Sequence, residues 1–86
     1  MPDRIYLNVI SAIDSTGYMQ PRAITWQDGR TFKIDEIRDY RPASTVRKGM
    51  PGDCYTVVIK GKSRHLFFEK AGDQFTNRIG RWFVEK

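Results

Sequence analysis

The sequence predicts an all-β protein: a small antiparallel, partly open β-barrel of about six strands, SH3-like or related. Three observations carry that reading. Alternating apolar runs recur along the chain, turn signals part them every eight to twelve residues or roughly so, and no stretch holds a convincing helical period. Residues 1–86 make one domain, with no internal repeat and no low-complexity segment.

The first element is Arg4 to Ile13. Ile5, Leu7, Val9 and Ile13 share one parity, so one face is the more apolar. The run is long for a strand, which calls for a bend that lets it join both halves of a barrel. Asp14 to Gln20 is a turn, because Asp14, Ser15 and Thr16 can bond their own backbone and Gly17 accepts positive φ.

The chain is organised around Ile24 to Tyr40. Asp28-Gly29 between alternating apolar runs is a hairpin signal, read here as a two-residue type I′ loop flanked by Gln27 and Arg30. Ile24, Trp26, Phe32 and Ile34 then form an apolar face, each large side chain worth roughly 2–3 kcal/mol on burial. From Ile34 to Tyr40 two readings stand. Ile34, Ile37 and Tyr40 fit one face of a short helix capped by Asp35. A strand bulged at Asp35-Glu36 also returns Ile37 to the core, and it is preferred because the run is short and ends before Pro42.

Arg41 to Asp53 is a loop on its prolines and glycines. Cys54 to Lys60 is a central strand, since both its faces are apolar and Val57, Val58 and Ile59 are β-branched. Gly61-Lys62 turns it into Arg64 to Glu69. Lys70 to Arg81 is irregular, and Trp82 to Glu85 closes the chain, with Trp82 and Val84 inward and Phe83 outward. The expected core is Leu7, Val9, Ile24, Trp26, Phe32, Ile34, Val57, Ile59, Leu66, Phe68, Trp82 and Val84.

The single cysteine, Cys54, forbids an intramolecular disulfide and favours a reducing, cytoplasmic compartment. The opening residues carry Asp3 and Arg4 and lack a continuous apolar core, so no signal peptide is expected. No run is long enough for a membrane helix.

Catalytic and metal chemistry find little support. His65 is the only histidine and Cys54 the only thiol, too few for a zinc site. As a nucleophile and base the two would lie far apart along their hairpin. Asp35, Glu36 and Asp39 are a carboxylate cluster that reads as a solvated bulge balancing Arg38 and Arg41. No phosphate-binding glycine loop is present. The chain is therefore expected to be no enzyme and to carry no cofactor or metal.

Charge is the stronger functional signal. The net charge is +5; residues 1–46 carry six basic and six acidic side chains, and residues 47–86 carry nine and four. The candidate nucleic-acid-binding set is Arg47, Lys48, Lys60, Lys62, Arg64, Arg78 and Arg81, with Phe67 and Phe83 as stacking rings. Tyr6 and Phe75 are further aromatics placed outward. Cations that track phosphates beside rings that stack bases are how small barrels bind single strands. Such barrels are equally protein-interaction modules. If the first and last strands are open edges, they invite strand addition or a homodimer.

Ile24-Thr25-Trp26-Gln27-Asp28-Gly29-Arg30, Phe32-Lys33-Ile34-Asp35 and Arg38-Asp39-Tyr40-Arg41-Pro42-Ala43 carry a resemblance. So do Tyr55-Thr56-Val57, Leu66-Phe67-Phe68-Glu69 and Gly80-Arg81-Trp82-Phe83-Val84-Glu85. Over residues 20–86 the chain resembles a family of small uncharacterised bacterial domains whose genes accompany translesion DNA polymerases. Residues 70–79 look longer than the family pattern. The resemblance implies at most an accessory role in DNA repair, and no activity is established for the family to carry over. The expectation is thus a non-catalytic interaction or adaptor module with a protein partner, and the alternative is a nucleic-acid-binding barrel using a basic edge.

Overall fold

A computed structural model describes residues 3–43, 52–70 and 79–85. They form seven strands: β1 (Arg4–Ile13), β2 (Met19–Thr25), β3 (Thr31–Lys33), β4 (Glu36–Arg41), β5 (Asp53–Ile59), β6 (Lys62–Lys70) and β7 (Gly80–Glu85). All pairings are antiparallel, in the order β3-β2-β1-β7-β6-β5-β4.

Curling follows from one bend. β3 and β4 are the two edges of this sheet, yet they are consecutive in the chain. Ile34 donates its N–H to the Arg22 carbonyl on one side, and Asp35 donates to the Val58 carbonyl on the other. Two adjacent residues therefore hold opposite ends of the sheet, and it rolls into a partly open barrel. The extended reading of Ile34 to Tyr40 holds. The chain bends at Ile34 and Asp35, and the β4–β5 register shifts between Ile37 and Asp39, slightly later than expected.

The long first strand serves both halves of the barrel. Arg4–Leu7 pairs with β7 and Asn8–Ile13 with β2, with an irregularity at Ile10/Ser11. The first and last strands are thus partners in the middle of the sheet and not its edges, which corrects the sequence expectation. Pairing the two termini satisfies both sets of backbone groups at once.

The central hairpin also differs in its turn. Trp26 N–H donates to the Arg30 carbonyl and Gly29 N–H to the Trp26 carbonyl, leaving a three-residue loop, Gln27 to Gly29. Gly29 takes φ +90°, and the Asp28 carboxylate accepts from the Arg30 N–H at 3.0 Å. Three residues are required by the side chains. A two-residue loop sets Ile24 opposite Lys33, whereas the observed register sets it opposite Phe32 and makes one apolar face.

The inner core is Leu7, Ile24, Ile34, Tyr55, Val57, Ile59, Leu66, Phe68 and Trp82, with Ile5, Val9, Met19, Trp26, Phe32, Ile37 and Val84 packed against it. Every residue of the expected core belongs to one set or the other. Tyr55 is an addition: its hydroxyl donates to the Met19 carbonyl at 3.0 Å, and its ring lies 5.4 Å from Trp82. Gly80 is needed where β7 meets β6, since a side chain there would strike the Glu69 carbonyl and the Phe68 ring.

Candidate binding groove

A groove of about 670 Å³ opens between the tip of the β5–β6 hairpin and the β2–β3 hairpin. Ile5, Ile24, Trp26, Phe32, Ile59 and Val84 supply its apolar walls, and Arg30, Lys60, Lys62, Arg64 and Glu85 its charges. Trp26 and Phe32 are half-buried here, so they line an opening where the sequence placed them in the closed core.

The β5–β6 turn aims the cations. Ile59 pairs with Lys62, so the two-residue loop is Lys60-Gly61, one position earlier than predicted. Both residues have positive φ, +51° and +78°, as a type I′ turn requires. Lys60 is the one non-glycine residue with positive φ among the described residues. The Asp35 carboxylate supports the turn by accepting from the Lys60 N–H at 3.1 Å, which ties the hairpin tip to the β3–β4 bend. The Lys60 ammonium then lies 5.0 Å from the centre of the Phe32 ring, and the Arg30 guanidinium lies 5.6 Å from it.

Lys62 and Arg64 follow on the face that carries Leu66 and Phe68 farther along β6. Like Arg22, Lys33 and Lys70 elsewhere on the barrel, they have no carboxylate partner among the described residues. Arg4 and Arg81 pair with Glu69, Arg30 with Asp28, Arg38 with Glu36 and Arg41 with Asp39. Among the described residues, Lys60, Lys62 and Arg64 make no ion pair with a carboxylate. Three uncompensated cations therefore converge on one groove. Phosphates and carboxylates are the ligands such a rim attracts.

Arg47, Lys48 and Arg78 lie outside the described residues, as does Phe75. Arg81 belongs to another cluster. It donates to a Glu69 carboxylate oxygen at 3.2 Å and lies 4.0 Å from the Tyr6 ring. Tyr6 in turn donates to Glu69 at 3.0 Å. Phe67 and Phe83, read as exposed stacking rings, are buried at 7 % and 0 % exposure. They stack on each other at 5.3 Å, with Tyr6 at 5.5 Å and the Arg4 guanidinium at 4.7 Å from Phe83. Period-two alternation turned them away from the inner core correctly. They are dry because, with Cys54, they form a second small core on the outer face.

Cys54 and His65 are closer than the predicted register placed them, since His65 pairs with Thr56 and Cys54 with Phe67. Burial nonetheless pushes the Cys54 thiol above its ordinary value, the opposite of what activates a nucleophile. The carboxylates of the predicted acidic cluster are individually occupied: Asp35 on the Lys60 N–H, Glu36 and Asp39 on arginines. Among the described residues, no three metal-ligating side chains converge, and no helix is long and apolar enough to cross a membrane.

A second hollow of about 760 Å³ lies at the other end of β2 and β5, lined by Tyr18, Tyr40 and Tyr55 with Asp35, Glu36 and Asp53. Cations outnumber carboxylates at the first hollow, where Glu85 is the acidic lining residue, whereas Arg22 and Lys70 stand among the three carboxylates of the second. No protein-family model, curated protein or solved structure matches this chain.

Proposed function

We propose that this domain is a non-catalytic interaction module that binds an acidic segment of a partner protein in its basic groove. One observation carries the reading: Lys60, Lys62 and Arg64, none of them in an ion pair among the described residues, rim a hollow with apolar walls in which Glu85 is the acidic lining residue. Apolar walls bury part of a ligand while a few placed charges orient it. An accessory role in DNA repair is the setting that the resemblance of residues 20–86 implies.

A nucleic-acid strand is the second reading, favoured by the same row of cations. It is the weaker one because the two rings expected to stack bases are buried and Phe32 already lies beside Lys60 and Arg30.

Fluorescence anisotropy tests both. A fluorescein-labelled peptide of alternating Glu and Val, and a labelled oligothymidylate, are titrated across a salt series. The expected result is peptide binding near physiological salt that drops about tenfold or more in the variant Lys60→Asn, Lys62→Gln, Arg64→Gln, since each lost charged contact is worth roughly 0.5 kcal/mol or more. Equal peptide affinity for the variant and the parent would refute the groove assignment. Preferential binding of the oligonucleotide that persists with added salt would install the second reading.

A further inference from the structure

β6 and β7 part company inside the groove. Their ladder runs from Lys70↔Gly80 to Phe67↔Phe83 and stops there. β7 continues to Glu85, but Val84 and Glu85 pair with Ile5 and Arg4 of β1. β6 continues in the other direction to Lys62, paired with β5 alone. Lys62 to Leu66 thus present one backbone edge that no strand among the described residues pairs with. Lys62, Ser63, Arg64 and His65 all line the groove, so the unpaired edge and the hollow are one place.

An unpaired edge is a template for another strand, because every second residue turns its N–H and C=O outward. Its length, about 17 Å at the usual rise per residue, fits a short extended segment. Its side chains select the occupant. Basic residues on an edge repel a like-charged strand, and this chain carries a net +5. A second copy presenting the same edge would set Lys62 and Arg64 against Lys62 and Arg64. A strand bearing carboxylates meets the opposite condition. Cross-strand neighbours share a face, and Lys62 and Arg64 are two residues apart on one face, so the matching carboxylates stand at alternate positions of the partner.

We propose that the β6 edge from Lys62 to Leu66 takes up an extended acidic peptide by strand addition, with carboxylates at positions i and i+2 facing Lys62 and Arg64. This rests on the groove reading above and adds to it a binding mode and a sequence requirement. Main-chain hydrogen bonds supply affinity, and the alternating carboxylates supply specificity.

The test separates strand addition from charge attraction. Three labelled peptides of equal charge are compared on the intact chain: alternating Glu-Val, the same peptide N-methylated on every second residue, and its sister methylated on the remaining residues. N-methylation deletes backbone donors without altering charge. The expected result is that one methylated peptide binds about tenfold or more weakly than the parent while the other stays within about threefold, because only one set of amides faces the edge. Amide exchange at Ser63 and His65, the two residues of this stretch whose N–H groups turn away from β5, is expected to slow when the parent peptide is added. Equal binding of all three peptides, with unchanged exchange, would overturn strand addition and leave the groove reading standing. Failure of every peptide to bind, with or without binding of oligothymidylate, would overturn both.

Discussion

Phe83 keeps to the outer face that alternation assigns it yet is dry there, and its replacement gives the sharpest test of the fold. The side chain has no exposed surface. Its ring stacks on Phe67 at 5.3 Å with an interplanar angle of 15°, and Tyr6 and Arg4 close over the other sides. Phe83→Ala removes a fully buried ring and leaves a cavity, a change that costs about 3–5 kcal/mol. Arg4 and Tyr6 reach the surface and can settle inward, so the lower end, about 3 kcal/mol, is expected. A chain of this size has roughly 4–13 kcal/mol of stability in all. Urea unfolding followed by tryptophan fluorescence reads the loss directly. With a slope of about 1.5 kcal/mol per molar, the midpoint falls by about 2 M. Phe83→Leu, which keeps most of the volume, should recover more than half of the shift. A loss under about 1 kcal/mol for the alanine variant would refute the outer core and restore Phe83 to the surface, where period-two alternation alone puts it.

Two further predictions concern the turn and the outer-face network. Lys60→Asn places a residue at home in left-handed backbone at φ +51°; relief of roughly 1 kcal/mol outweighs the exposed cation–π contact with Phe32, about 0.5 kcal/mol, so a thermal melt should shift upward by about 2–4 °C. A lower melting temperature would contradict the turn geometry. The hydrogen bond from Tyr6, then that from Arg81, holds the Glu69 carboxyl below its ordinary value of 4.5. A carboxyl depressed in the folded state contributes stability that is present above the unfolded value and lost as pH falls through the folded one. The urea midpoint should therefore decline below about pH 4.5, and Glu69→Gln should flatten part of that decline. An identical acid profile in the variant would remove Glu69 from the account.

Much of this architecture was legible in the residues. Alternation at Ile5-Leu7-Val9, Val57-Ile59 and Leu66-Phe68 located strands and their inner faces, since a pleated backbone has a period of two whatever surrounds it. β-Branched Val57, Val58 and Ile59 marked the strand buried on both sides. Lys60, Lys62 and Arg64 stood out as a cluster because a hairpin tip keeps near neighbours in sequence near in space. The groove itself was hidden. Its walls come from β1, β2, β3, β5 and β7, and no local pattern says that Trp26 and Phe32 would open onto Lys60.

The sequence by itself determined the class of fold, most of the inner core and the basic character of one hairpin tip. These follow from side-chain polarity and backbone period, which are local properties. Tertiary structure alone decided three things: that β1 pairs with β7, that Phe67 and Phe83 are dry, and that β7 leaves β6 at Phe83. Each depends on which strands are neighbours across the sheet. That choice is made by the whole set of apolar faces seeking cover at once, and no single strand encodes it.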